Sequence, residues 1–419
     1  MSTPTASAPM STAWVVVFLS LLLGVQPLAT DLYLPALPSI TAALQAPMAK
    51  VQATLSALLL AFGIAQLVWG PVSDRFGRRP VLLLGLAAYT LASVGSALAA
   101  NVEQLIVWRI VQGAAMGAAV MGARAIVRDL YSPVEGARMM SRGLSGLGIF
   151  ACLSGPLGGW LTEHLGWRAA LGVLAVFGAL GLVLVALRFR ETLPARNPQA
   201  LRPREMVRIW ARIARHPTFW AWALLAATSY GGLFTFLATS SFVFIDVLGH
   251  SKTGYGLLML SMSTVYISGT FVCRWLIPRL GVRRTVALAA ALTLTGGTLA
   301  GVLGWLGVHT TWAIMGPFYL FILAHGVHQP CGQSGAVSPF PQAAGAASAL
   351  AGFVMMVTAF GMGLWLGQRM AAGGASGVYP LTNGLWFWAM MIALVAWTLV
   401  QRHGEVRAPV QGAIAPARR

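Results

Sequence analysis

The sequence predicts an all-α membrane protein of twelve transmembrane helices arranged as two six-helix bundles. Three observations carry that prediction. Of 419 residues, 57% are hydrophobic and 9% are charged, against about 25% charged in an ordinary soluble domain. That composition excludes a water-soluble globular enzyme. The apolar residues fall in twelve runs, each near the roughly 20 residues that cross a ~30 Å hydrocarbon core at 1.5 Å of rise per residue. A basic turn after the second run recurs, in altered form, after the eighth, about half a chain length later.

A tail covers residues 1–13, and the runs of the first bundle, 14–187, lie near 14–36, 51–72, 81–99, 102–123, 141–161 and 167–187. The first run is preceded by no Lys or Arg and continues past Tyr33 without a small-residue cleavage site. It therefore reads as an uncleaved first helix rather than a secretion signal. Residues 188–216 hold eight arginines and several prolines, too much charge for hydrocarbon, so they form a linker. Within it Met206, Ile209, Trp210 and Ile213 recur at helical spacing. A basic amphipathic helix on the membrane surface and a solvated charged linker both fit. The second bundle, 217–401, has runs near 219–244, 254–277, 285–306, 312–332, 343–366 and 381–401, followed by a tail, 402–419.

The Lys and Arg residues alternate between the two ends of these helices. Twenty-three lie in the turns led by Arg75, Arg124, Arg188, Arg274 and Arg402. Only Lys50, Arg168, Lys252 and Arg369 occupy the other side, and Arg109 falls inside a span. The positive-inside rule then places both termini in the cytoplasm. The net charge of +18 is thus mainly topological and calls for no nucleic-acid partner. Cys152, Cys273 and Cys331 sit in three different runs without zinc-ligand spacing and read as small core residues. No metal-ligand spacing, nucleophile elbow or phosphate loop appears, so neither an enzyme nor a metal site nor a cofactor is expected.

Arg75-Phe-Gly77-Arg78-Arg79-Pro80-Val81 after the second run matches Arg279-Leu-Gly281-Val282-Arg283-Arg284-Thr285 after the eighth. A repeated six-helix unit implies two bundles about an axis normal to the membrane, with a solute path between them. Gly70-Pro-Val-Ser-Asp74 followed by that first basic turn closely resembles the loop 2–3 signature of the major facilitator superfamily. Arg109-Ile-Val-Gln112-Gly113 resembles its fourth-helix motif, and Gly148 with Gly155-Pro156-Leu-Gly158-Gly159 resembles the fifth-helix motif of its antiporters. Thr30-Asp31-Leu-Tyr33-Leu-Pro35, Val127-Arg128-Asp129-Leu-Tyr131, Gly166-Trp167-Arg168 and Glu191-Thr192 are similar to the Bcr/CflA group of bacterial drug exporters. The resemblance implies a major facilitator fold in the bacterial inner membrane. It also implies efflux of small, moderately apolar compounds, amphenicol-like or bicyclomycin-like, in exchange for protons. A dedicated metabolite exporter or importer on the same scaffold is the alternative. Gly-x-x-x-Gly spacings are too common in this composition to argue for a dimer, and a monomer is expected.

A proton gradient does work only through a group that exchanges protons with each side in turn. Nine of the ten acids fall near helix ends or in the tail; Asp31 alone lies well inside a span. A carboxylate there is costly unless neutralised or paired, which makes Asp31 the candidate proton carrier and Arg109 its natural electrostatic partner. The first helix puts Asp31 about 25 Å along its rise and the fourth puts Arg109 about 10 Å below the outer edge, so both reach the outer half. In the resembled families the fourth-helix arginine is implicated in proton coupling. The competing reading makes Asp31 a cap before Pro35 and gives Arg109 a backbone carbonyl.

Gly70, Asp74, Arg75, Gly77, Arg78 and Arg79 read as a conformational latch. In it Asp74 accepts from helix N-terminal amides or an arginine, and Arg78 or Arg75 bridges to Asp129. Gly155, Pro156 and Gly159 belong to a small-residue stretch expected at the interface between the halves, with ordinary membrane packing as the alternative. Since helices one, four, seven and ten line the cavity in the resembled superfamily, Tyr33, Tyr230, Phe234, Phe236, His325, His328 and Gln329 are its candidate solute contacts. His325 and His328 also read as carbonyl-satisfied packing residues or as proton carriers.

Overall fold

A computed structural model describes residues 11–372 and 378–405. Residues 1–10 of the first tail, and Arg407, Arg418 and Arg419 of the last, lie outside the described residues. The first half comprises α1 (Thr12–Asp31), the short α2 (Leu37–Ala43), α3 (Met48–Phe76), α4 (Arg78–Ala97), α5 (Val102–Leu130), α6 (Pro133–His164) and α7 (Trp167–Arg188). The linker contains α8 (Pro203–Ala214). The second half comprises α9 (Pro217–Ser241), α10 (Lys252–Trp305), α11 (Thr311–Val337), α12 (Ala344–Ala372), α13 (Val378–Trp397) and the short α14 (Leu399–His403). Among the described residues ten helices are long and apolar enough to cross a membrane, α10 counting once; α11, which carries His325, His328 and Gln329, is not among them.

The helix ends follow local chemistry. Asn101, Ser251 and Thr310 each accept a hydrogen bond from the amide three residues on, which satisfies donors left free in a first turn. Pro133, Pro203 and Pro217 each occupy the first helical position, where their missing amide costs nothing. After Asp31 the chain tightens into a 3₁₀ turn, Leu34–Ala36, before α2. Pro35 and Pro38 lack the amide donors that a continuous helix needs. The first span therefore extends to Ala43, beyond the expected end at Ala36.

The fourth and fifth spans are also longer than the apolar pattern indicates, running on to Leu130 and starting at Pro133. The eighth and ninth spans, expected as separate helices, are two helices that meet without an intervening loop at a kink at Gly281 (φ 74°, ψ 164°), and α10 denotes both. Gly77, the matching residue of the first basic turn, has φ 108°. Both turns thus use the left-handed region that glycine alone enters without strain, so the sequence repeat is also a backbone repeat.

In the first half α1 packs on α6, α4 on α7, and α3 and α4 on α5. In the second, α9 packs on α11, α12 and α13, while α10 packs on α11 and α13. The halves meet where α3 lies against α12 and α6 against the first part of α10. Advancing each member by six spans exchanges these two pairs, as a two-fold relation between the halves requires. Leu84, Leu91, Val176, Leu180 and Leu187 are exposed on the outside of the bundle. Such a surface is stable in hydrocarbon and an association hazard in water.

Of the two linker readings, α8 adopts the amphipathic helix, with a change of surroundings. Its apolar side, including the buried Ile213, turns to α12 and α9, whereas Arg204, Arg208, Arg212 and Arg215 are exposed. Cys273 and Cys331 are both buried, and their sulfurs lie 3.8 Å apart between α10 and α11. Their positions in separate runs gave no sign of this proximity.

Candidate functional site

Asp31 ends α1 and is half-buried, with its Oδ1 accepting from the Thr30 hydroxyl at 2.7 Å. Arg109 of α5 is fully buried at the same depth. Its Nη2 donates to the Ala29 carbonyl at 2.9 Å and its Nη1 to Gln112 Oε1 at 2.6 Å, and its guanidinium lies 4.0 Å from the Tyr33 ring centroid. Gln112 continues to the Ser93 hydroxyl at 2.7 Å, and the Tyr33 hydroxyl meets that of Thr54 at 2.7 Å.

Asp31 and Arg109 are therefore neighbours that do not pair: among the described residues Arg109 makes no ion pair. The expected Asp31–Arg109 contact is replaced by a carbonyl, an amide oxygen and a π face, which engage the two Nη groups and the guanidinium plane and leave the buried Nε without a hydrogen bond. Asp31 instead has Tyr230 and Tyr255 of the second half within electrostatic reach. The Tyr255 hydroxyl is held by Ser240 at 2.8 Å.

At the end that carries the basic turns, Arg78 opens α4 and is 1% exposed. It donates from Nε to Asp129 at 2.8 Å, from Nη2 to Asp74 at 2.7 Å, and from Nη1 to the Ser73 hydroxyl. Arg128 reaches Asp74 at 3.3 Å. Asp74 thus pairs with arginines, and the helix N-terminal amides go to a different acid. Glu191, just past α7, accepts from the Arg78 and Arg79 amides at 2.9 and 3.1 Å, where the α4 dipole favours a carboxylate. A Cβ at Gly77 would meet that carboxylate. Arg79 turns to the Phe189 and Ala186 carbonyls, and Arg75 is exposed beside Phe76, so Arg78 makes the bridge to Asp129 and Arg75 does not. Every partner in this network belongs to the first half or to the chain just after it, so the network does not strap the two halves together.

The two ends of the inter-half interface differ. At the end opposite the basic turns a Cβ at Gly155 would meet Met259, and one at Gly159 would meet the Lys252 carbonyl, so α6 and α10 touch backbone to backbone. Gln52 donates to the Ala238 carbonyl at 2.7 Å and Glu163 accepts from the Thr253 amide at 2.8 Å across the same seam. Gly143, Gly146 and Gly158 instead pack within the first half, against Leu19, Ser20 and Leu32, and Gly148 faces open space. Interface and ordinary packing thus share the glycine run. At the basic end a cleft of about 660 Å³ separates the halves, with Gly70, Asp74, Arg78 and Arg124 on one wall, Ser348 on the other, and α8 along its side.

The family profile described as Major Facilitator Superfamily matches residues 19–364. The chain belongs to that superfamily. It is 30% identical over 336 residues to multidrug resistance protein D of Escherichia coli, covering 80% of this chain and 83% of that one. The chloramphenicol resistance protein of Pseudomonas aeruginosa is 29% identical over 330 residues, 77% of this chain and 76% of its own. The bicyclomycin resistance protein homolog of Haemophilus influenzae is 26% identical over 363 residues, 86% and 90% of the two chains. Among solved structures, the partially occluded inward-open xylose transporter XylE of E. coli superposes with a TM-score of 0.71 at 15% identity over 93% of this chain and 97% of that one, a likeness of fold. The protein is a multi-pass membrane transporter.

Within this major facilitator fold the candidate solute contacts separate into groups. Tyr230 is buried, within electrostatic reach of Asp31. Phe234 is buried toward Gly363 of α12. Phe236 stacks on Phe318 at 3.7 Å, His325 bonds the Ser229 hydroxyl at 2.7 Å, and Gln329 donates to the Ala226 carbonyl at 2.8 Å. Those three tie α9 to α11 in this conformation. His328 is fully buried in the second half, and Tyr33 belongs to the Arg109 cluster.

None of these seven side chains lines the cleft. Among the residues that do line it are Gln66, Arg124 and Ser348, to which the sequence assigns no site role. Glu191 had a visible signal, its Glu-Thr pair after a run of arginines, but its partner amides lie more than a hundred residues away. Among the described residues no three or more His, Cys, Asp or Glu side chains gather as a metal site.

Proposed function

We propose that the chain is a proton-coupled antiporter of the bacterial inner membrane. It exports small, moderately apolar compounds by alternating access, with both termini cytoplasmic. The halves are 14–187 and 217–401, joined by the basic linker 188–216. The drug-resistance names of its relatives, chloramphenicol and bicyclomycin among them, support the substrate class. The excess of arginine on one side supports the orientation and the reading of the cleft as cytoplasmic. The compounds move by rocking of the halves, with no reaction catalysed on them and no cofactor.

The observation that carries this reading is the position of Asp31. Among the described residues its carboxyl, inside a span, makes no ion pair, and Tyr230 and Tyr255 of the other half lie within its electrostatic reach. A charge there interacts differently with the second half when the halves are together and when they part, so protonation biases the two arrangements. A ligand or proton shifts a conformational equilibrium only through such a difference. Arg109 holds the end of α1 through the Ala29 carbonyl and so fixes where Asp31 points. In the second arrangement the Gly155–Gly159 seam opens and the cleft closes.

The test is transport by purified protein in liposomes with an imposed pH gradient. Asp31→Asn is expected to keep the fold and solute binding while losing uphill, pH-driven export. Normal coupled export by that variant sinks the proposal.

A further inference from the structure

Arg124 of α5 stands apart from the other arginines around the cleft. Arg78 is neutralised by Asp129 and Asp74, and Arg128 by Asp74. Arg124 is partly buried in the wall beside Met121, and its hydrogen bond runs across the gap to the Ser348 hydroxyl at 2.7 Å. Among the described residues it makes no ion pair. The space beside it is bordered by Gln66 and, from α8, by Met206 and Trp210. Glu205, the acid on α8, is exposed at the edge of this cleft.

A cation in a partly apolar recess with a neutral hydroxyl for a partner is under-satisfied. A carboxylate makes a hydrogen bond roughly twice as strong as a neutral acceptor does, and the thioether and indole walls favour an apolar body. We infer that this cleft takes amphipathic solutes whose polar group is an anion or a strong acceptor, and that Arg124 sets that selectivity by exchanging Ser348 for the solute. The inference rests on the transporter reading above and narrows its substrate class. Because Ser348 belongs to α12, the exchange also releases a strap between the halves at the moment of loading.

Equilibrium binding to the purified full chain in nanodiscs, with no pH gradient, tests this with three probes sharing one naphthyl body: 2-naphthoate, 2-naphthamide and a naphthyl trimethylammonium. The carboxylate is expected to bind at least about tenfold more tightly than the ammonium, with the amide between them. Arg124→Gln is expected to remove the carboxylate's advantage over the amide, and Arg124→Lys to retain much of it. Ser348→Ala, which deletes the competing partner, is expected to tighten naphthoate several-fold. The inference is overturned by an ammonium that binds as tightly as the carboxylate, by an unchanged ratio in Arg124→Gln, by weaker naphthoate binding in Ser348→Ala, or by binding of none of the three. A failure of pH-driven export leaves these ratios standing, so the two readings fail separately.

Discussion

Arg78 and Asp129 sit at opposite termini of neighbouring helices, Nε 2.8 Å from Oδ2, with 1% and 6% of their side chains exposed. The pair joins the start of α4 to the far end of α5. Asp74 holds the same guanidinium from α3, and Glu191 holds the α4 backbone from beyond α7. Four helices of the first half are thereby fixed around one basic turn, which moves as a body when the halves rock.

Removing one member of a pair this deeply withdrawn leaves an uncompensated charge. Asp129→Ala is expected to cost about 3 kcal/mol, read as a lower thermal midpoint of the purified protein in detergent. Asp74→Ala, whose carboxylate is more exposed and less committed, should lower the midpoint less. An equal or reversed order would contradict the central place of Asp129.

Glu191 acts as a remote N-terminal cap, satisfying two α4 amides. Loss of such a cap costs on the order of 1 kcal/mol. Glu191→Ala should therefore lower the midpoint modestly. Glu191→Gln, which keeps one acceptor oxygen, should recover part of the difference. The thermal shift of the two variants, measured side by side, decides whether the amides depend on this side chain.

The seam at Gly159 leaves no room for a methyl group against the Lys252 carbonyl, whereas Gly148 faces open space. Gly159→Ala should bias the protein away from the arrangement seen here, so that a thiol-reactive probe placed at that seam gains access and transport falls. Gly148→Ala should transport as the parent does. Equal activity of the two variants would show that the seam tolerates separation throughout the cycle.

Much of this architecture is legible in the sequence because a bilayer imposes a local rule. A segment crosses if about 20 residues are apolar, and the twelve runs, the basic turns and the solitary Asp31 all follow from that rule without knowledge of neighbours. The spans ran past their apolar runs where polar ends project beyond hydrocarbon, as α5 does to reach Asp129. The eighth and ninth spans follow each other without a loop because one glycine, Gly281, turns the chain within a single residue.

The residues that work in pairs were less legible. Arg109 looked like a partner for Asp31 because opposite charges at one depth attract. The structure gives it the Ala29 carbonyl and the Tyr33 ring, contacts that depend on how α1 and α5 are rotated about their own axes. Phe236, His325 and Gln329 are polar or aromatic residues on helices expected to line a cavity, and only the rotation of α9 and α11 shows that in this conformation they also bond or stack across those two helices.

Sequence alone determined that this chain is a twelve-span transporter scaffold with a repeated basic turn and one intramembrane acid, since hydropathy and charge act residue by residue. Tertiary structure alone decided that Glu191 caps α4, that Arg124 reaches Ser348 across a cleft, and that Arg109 takes the Ala29 carbonyl rather than Asp31. Those choices depend on helix rotation and on the meeting of distant segments, and the apolar pattern of a membrane helix, buried on one side by protein and on the other by lipid, does not encode which face turns inward.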